Sequence, residues 1–526
     1  MGDMTMRVFL LVILVGCVPW VVSPAADDVQ AFVQDGRHVL EPRHLGPTRP
    51  ARLEGDGGLV WHNYYEEALV QSVSIAASAS RLIAGTWLNP PLDAELIPLE
   101  GDGTADWAFP GTNFRVGASR NGGVLVGVDK LANSVTLYKW HSGSSTPDWS
   151  FPIPSATVGG VRCVVVSPDA STIALVVTML RPQRVRLYCF DADSPVPIAT
   201  FDANEGTSGG NIDITADGRF IAFYALADAF VYDRDTQSVR WTGYMGGGND
   251  PLAISGDGEY IAYGWMSLYV RRWNGSTYEA LWSEPGGNFW VKTCRFSNEG
   301  STLVVGWCDH DSYLQNRIEL FEMPDRTPLW TYLYRRGSGE YQDIPREIAI
   351  TNDGSYIAVG SWGDEANTNP EVHVFEHDAP APILTLDTPG SVFDIDIAEV
   401  ERGTVYVAAS GKHIHANENG RGGDLYSLRV EHAAGVVSPP SPGAEVSPNP
   451  FTRATTISWR HPGGEHAELG IYTPAGRLIR RLHGEGDRLN WDGCSRSGVP
   501  VEPGVYYLRL RVAGRTINRR AVRLER

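Results

Sequence analysis

A strand, a tight polar turn and a second strand recur eight times in this chain, at 73–85, 114–126, 164–175, 212–222, 252–262, 293–305, 348–359 and 393–407. The turns read Ser167-Pro168-Asp169, Thr215-Ala216-Asp217-Gly218, Ser255-Gly256-Asp257-Gly258, Ser297-Asn298-Glu299-Gly300 and Thr351-Asn352-Asp353-Gly354. Asp or Asn followed by Gly tolerates the positive φ that hairpin turns demand. From Asp169 to Asp353 the successive turn acids lie 48, 40, 42 and 54 residues apart, about the length of a four-stranded unit. A third strand follows within the units, as at 135–138, 185–188, 230–232, 318–321 and 372–375. A fourth carries an anchor: Trp61, Trp107, Trp149, Phe201, Trp241, Trp282, Trp330 or Leu386. Both series count to eight. The 526 residues exceed what one ordinary core supports, so a repeat architecture also answers the problem of size.

The turn-and-strand unit resembles WD-repeat and YVTN-type propellers. The run Val231-Tyr232-Asp233-Arg234-Asp235-Thr236, leading to Trp241, is similar to the tryptophan-docking repeat of eight-bladed quinoprotein dehydrogenases. The resemblance implies an all-β chain with an eight-bladed β-propeller over 55–432. Such a quinoprotein needs adjacent cysteines and a calcium-binding carboxylate cluster, and no Cys-Cys pair occurs, so no quinone cofactor is expected.

The ends read differently. Residues 1–26 have the form of an export signal, with Arg7, an apolar run from Val8 to Val22 and Ser23-Pro24-Ala25-Ala26 before Asp27-Asp28. Leu14-Val15-Gly16-Cys17 also has the form of a lipobox, so Cys17 is either an acylated N-terminus or an apolar residue of the signal. An N-terminal extension, 27–54, follows. No later stretch is apolar for the roughly 18–20 residues of a membrane span, and none is expected. The five cysteines after the signal (Cys163, Cys189, Cys294, Cys308 and Cys494) are an odd number without C-x-x-C spacing, and most suit small buried positions on strands.

A Pro/Ser-rich linker is expected over 433–446, and a separate small unit over 447–526. Its motifs are Ser447-Pro448-Asn449-Pro450-Phe451, Thr455-Thr456-Ile457, Ile471-Tyr472 to Gly476-Arg477, Trp491-Asp492-Gly493 and Pro503-Gly504-Val505-Tyr506-Tyr507. In that order they resemble the Ig-like domain of flagellar hook-capping proteins and the C-terminal sorting domain of type IX secretion cargo. The resemblance implies an Ig-like β-sandwich that engages secretion or surface-attachment machinery, and with the signal it implies an extracellular or outer-surface location. From Phe451 onward there are 14 Arg, no Lys and 7 acidic residues, a net of +7 in a chain whose total is −18. The remainder, at −25, repels phosphate backbones, so no nucleic-acid partner is expected.

Ligands of such repeats sit where loops of successive units converge. Asp309, His310 and Asp311 follow one second strand, Asp364 and Glu365 the next, and His413 and His415 the third. Asp309, Asp311, Asp364 and Glu365 offer oxygens to calcium, and Asp309 with His310 and His415 would suit a transition metal, while a solvated acidic rim explains the same residues without any ion. Glu54-Gly55-Asp56-Gly57 and Glu100-Gly101-Asp102-Gly103 read as blade-entry turns. Gly-x-Ser-x-Gly is absent, and no Ser or Cys has a His at a spacing that compels a triad. Two functions remain: a non-catalytic binding or scaffold module for a protein or glycan, and a hydrolase or lyase acting from the loop face.

Overall fold

The computed structural model describes residues 32–34, 37–39, 51–55, 57–87, 94–159, 162–203, 209–245, 251–310, 315–335, 337, 342–401, 403–416, 421–431, 444–459, 466–473, 478–486, 488–496, 498–512 and 515–524. Cys17 and the rest of the export segment, most of the linker and Asp311 lie outside them. The described residues are all-β, without a helix, and the chain divides into two compact units, Met1–His432 and Ala433–Arg526.

The first unit is built of propeller-like blades, antiparallel sheets of four strands, two of them with a fifth. Among the described residues there are eight, numbered here by their inner strands: Leu69–Ile75, Phe114–Ala118, Val164–Val166, Gly209–Ile214, Leu252–Ile254, Phe289–Phe296, Pro345–Ile350 and Val392–Glu401. Sheet 6 shows the plan: Phe289–Phe296, Thr302–Asp309, Gln315–Glu322 and Trp330–Arg335 pair in sequence order. Each inner strand packs on its neighbours', and that of sheet 8 on that of sheet 1.

The turn motif explains the inner hairpins. Thr215, Ser255 and Thr351 hydroxyls donate to Asp217, Asp257 and Asp353 at 2.6, 2.6 and 3.0 Å, and the same carboxylates accept the N–H of Arg219, Glu259 and Ser355. Gly218, at φ +69°, occupies the left-handed position, where a Cβ would meet Thr172 Oγ1 at 2.3 Å. In the Ser167 turn that position falls to Ala170, at φ +66°. Turns also bind turns of neighbouring sheets: Asp169 N–H donates to Ala216, Ala216 N–H to Gly256, and Glu299 N–H to Asn352.

Apolar burial is distributed over the seams between sheets. Val126, Val128 and Leu137 of sheet 2 pack with Val164 and Ile173 of sheet 3, while Val372 and Leu384 of sheet 7 pack with Ile395 and Val407 of sheet 8. The outer-strand tryptophans reinforce four seams. Trp149, Trp282 and Trp330 donate their indole N–H to the carbonyls of Ala192, Pro324 and His377, each just past the third strand of the next sheet. Trp61 does the same to Gly101 at 2.9 Å. It lies on Gly57–Tyr65, which pairs with Gly423–Glu431 as the outermost strand of sheet 8, so an N-terminal strand completes the last sheet. Trp241 and Trp330 are buried, and Trp107 and Trp282 are half-buried.

Two turns read as blade entries have other places. Glu100-Gly101-Asp102-Gly103 joins the third strand of sheet 1 to its fourth, and Gly103, at φ +84°, leaves the space that Trp61 fills. Glu54 and Gly55 end the strand Arg52–Gly55, which adds a fifth strand to sheet 7 inside the stretch expected as an extension. In the second unit, Ala444–Ser447 begins inside the expected linker and pairs with Thr455–Trp459, which pairs with Arg488–Trp491. A four-stranded sheet of Leu478–Glu485, His466–Tyr472, Gly504–Val512 and Arg515–Arg523 shares a core with it around Phe451, Trp459, Trp491 and Leu508.

Candidate functional site

Second strands end opposite the inner turns, so the loops after Asp309, Ser361 and Lys412 share one end of the first unit. There the structure places the expected residues apart. Asp309 ends its strand with 7 % exposure, and His310 stacks on Trp290, ring centroids 4.8 Å apart. The Asp364 carboxylate, buried, accepts the N–H of Ala366, Thr368 and Asn369 and the Thr368 hydroxyl, at 2.7–3.2 Å. A carboxylate with that many short local donors is the anchor of its loop. Glu365 is exposed, and its N–H donates to Gln342. His415 is buried, with Nε2 3.1 Å from the Gly363 carbonyl. No three of the described His, Cys, Asp and Glu side chains gather at metal-binding distance. Beneath these loops Leu69, Trp87, Cys308, Ile344, Trp362, Phe393 and Ala416 form an apolar cluster drawn from sheets 1, 6, 7 and 8.

His413 belongs to a group the sequence did not bring together. Asp424, buried on the third strand of sheet 8, lies 2.8 Å from His413 Nδ1 and 2.6 Å from Nε2 of His62, on the N-terminal strand that completes the sheet. His62 stacks on Tyr426 at 4.3 Å, and Tyr64 meets His413 at 4.6 Å. Burial opposes ionisation of Asp424, but hydrogen bonds and charge from His413 and His62 outweigh it and hold the carboxyl below its usual range. Burial, then the Asp424 charge, raises the Tyr64 hydroxyl.

At the turn end, the inner strands line a cavity of about 190 Å³ with charged side chains. Arg162 Nη2 lies 2.5 Å from Glu347 Oε1, and Arg295 Nη1 lies 3.1 Å from Asp213 Oδ1. Asp394 accepts the Val73 N–H and Asp396 the Ile75 N–H and the Ser74 hydroxyl. Burial pushes Asp213 up to about 6 against the pull of Arg162. It pushes Asp394 up to about 7, with Glu347 adding to the rise. These residues carried a signal: Arg115, Asp213, Arg295, Glu347, Asp394 and Asp396 are charges on inner strands, and Asp394 and Asp396 alternate with apolar neighbours.

Cys163, Cys189, Cys294 and Cys308 are buried, and burial raises the Cys163 and Cys189 thiols to about 11 and 12, which disfavours the thiolate.

No family model matches the chain, and no curated protein matches it. Among solved structures it is similar to the β-propeller domain of Cps50 (Swd1) from Myceliophteria thermophila, with 14 % identity, a TM-score of 0.42, and coverage of 71 % of this chain and 99 % of that one.

Proposed function

We propose that the chain is an exported, non-catalytic binding or scaffold protein whose first unit is an eight-bladed propeller presenting a ligand face and whose second unit is an Ig-like handle for export or surface attachment. The observation that carries the binding reading is the state of the loop end: Asp364 is committed to its own loop, His415 to the Gly363 carbonyl and His310 to the face of Trp290. Groups held in this way fix the loops that carry them, and preset loops can recognise a partner at low entropic cost. Eight sheets and the docking of Trp61 on Gly101 support eight closed blades. The ligand face is the loop end that carries Asp309, His310, Asp364, Glu365, His413 and His415, and its partner is a protein or a glycan.

The hydrolase or lyase reading rests on one feature, the histidine pair on Asp424 with His62 still part-exposed, since a carboxylate-oriented histidine is a usable base. A turnover screen of the purified protein on glycans and peptides separates the two. No turnover in the wild type is expected. Turnover lost in Asp309→Ala, Asp364→Ala or His62→Gln would overturn the binding reading.

A further inference from the structure

The cavity at the turn end lies away from the proposed ligand face, because inner hairpins and second-strand loops occupy opposite ends of the strands. Its charged lining residues, with their partners, fall into two classes. Arg162 with Glu347 and Arg295 with Asp213 form ion pairs of 2.5 and 3.1 Å. The first joins sheet 3 to sheet 7, which face each other in a ring of eight, so this pair spans the middle of the unit. The second class is left over.

Asp394 and Asp396 stand two apart on one face of Val392–Glu401 and, among the described residues, accept backbone N–H groups and the Ser74 hydroxyl. Among the described residues neither has a basic group within ion-pair distance, although Asp394 is only 8 % exposed. Arg120, half-buried on the turn of sheet 2, lines the same cavity without an ion-pair partner among the described residues, and its Nε is enclosed without an acceptor. A carboxylate pair and a guanidinium thus line one cavity and do not reach each other.

We propose that this cavity binds a small zwitterion, an amino acid or short peptide, with its ammonium at Asp394 and Asp396 and its carboxylate at Arg120. A simple amine would leave Arg120 uncompensated, and a simple carboxylate would leave the two acids so, whereas a ligand bearing both charges satisfies both walls. A space of about 190 Å³ admits a molecule of this size.

The charged groups facing Asp394 are Glu347, Arg162, Asp396 and Arg115. With its carboxyl at about 7, Asp394 carries a proton for part of the time near neutral pH. An ammonium seated against it favours the ionised form, so binding there expels a proton.

The test is titration calorimetry on the full chain with L-alanine, L-arginine and dialanine, alongside cadaverine as an amine without carboxylate and propionate as the reverse. At least one zwitterion should bind about tenfold or more tightly than either single-charge probe. Near pH 7 its apparent enthalpy should differ between phosphate and Tris buffers in the sense of proton release. Asp396→Asn and Arg120→Gln should each weaken binding about tenfold or more, and Arg120→Lys should restore part of it. Circular-dichroism melts identify any variant that fails to fold, in which case the buffer comparison on the wild type decides. Binding of no zwitterion up to about 10 mM, cadaverine equalling the zwitterions, or wild-type affinity in Arg120→Gln would each overturn the proposal. None of these outcomes bears on turnover at the loop face, so the two readings fail separately.

Discussion

Trp330 is 7 % exposed and donates its indole N–H to His377 at 2.7 Å across the seam between sheets 6 and 7. Trp330→Ala should lower the unfolding free energy by about 3–5 kcal/mol, through lost transfer and an unfilled cavity. Trp330→Phe keeps a ring and should recover most of that, leaving about 1 kcal/mol for the missing hydrogen bond and the unpaired carbonyl. Urea denaturation of both variants checks the ordering, and equal losses would show that packing area plays no part.

Asp394 makes a prediction of the opposite kind. Its carboxyl, ordinarily near 3.8, stands at about 7 in the folded chain, so the native state holds a proton that the unfolded state has released. The ionised form is the costly one, and stability falls as pH rises from about 4 through 7, at up to about 1.4 kcal/mol per pH unit for one proton. Asp213, at about 6, adds in the same sense over the lower part of that range. In Asp394→Asn the decline between about pH 5 and pH 8 should be shallower than in the wild type. Denaturation midpoints across that range check it, and parallel curves would contradict the assignment.

At the scale of the element, the hairpin turn and the completing strand matter most. Gly218→Ala forces a Cβ against Thr172 Oγ1 and places alanine at φ +69°, so a loss of about 1–3 kcal/mol is expected, whereas Ala170→Gly, at φ +66°, should be neutral or slightly stabilising. Thermal melts of the two variants measure both. Removing residues up to 65 takes away Gly57–Tyr65, bares the edge of Gly423–Glu431 and deletes the Trp61 contact, so the truncated chain should melt earlier and self-associate in light scattering.

The turns were legible in the sequence because a Ser/Thr-x-Asp-Gly turn is specified by four adjacent residues, and the third strands because their alternation is local. The Glu100–Gly103 turn was misplaced for a related reason: its composition announces a turn but not which two strands it joins. The loop acids were legible as loop residues only, since what occupies the Asp364 carboxylate is a set of backbone N–H groups with no side-chain signature. The pairs Arg162–Glu347 and His62–Asp424 lie 185 and 362 residues apart, and no local pattern announces the sheet packing or the pairing of Gly57–Tyr65 with Gly423–Glu431 that brings them together.

For the whole molecule, the chain divides at His432 into two compact units, and the proposed roles divide with it. Each unit encloses its own apolar clusters, so deleting residues 433–526 should leave the melting of the first unit unchanged. If the second unit is the handle for export, the same deletion should change surface labelling in the native host, and equal labelling of both forms would defeat that role. The central claim, that the first unit recognises a partner without transforming it, is tested most directly by presenting residues 51–432 to immobilised glycan and peptide libraries and weighing the retained ligands by mass spectrometry. The expected result is saturable retention of a ligand whose mass is unchanged, equal to that of the full chain and weakened by Asp309→Ala. Retention that requires residues 433–526, or ligands recovered as cleavage products, would contradict it.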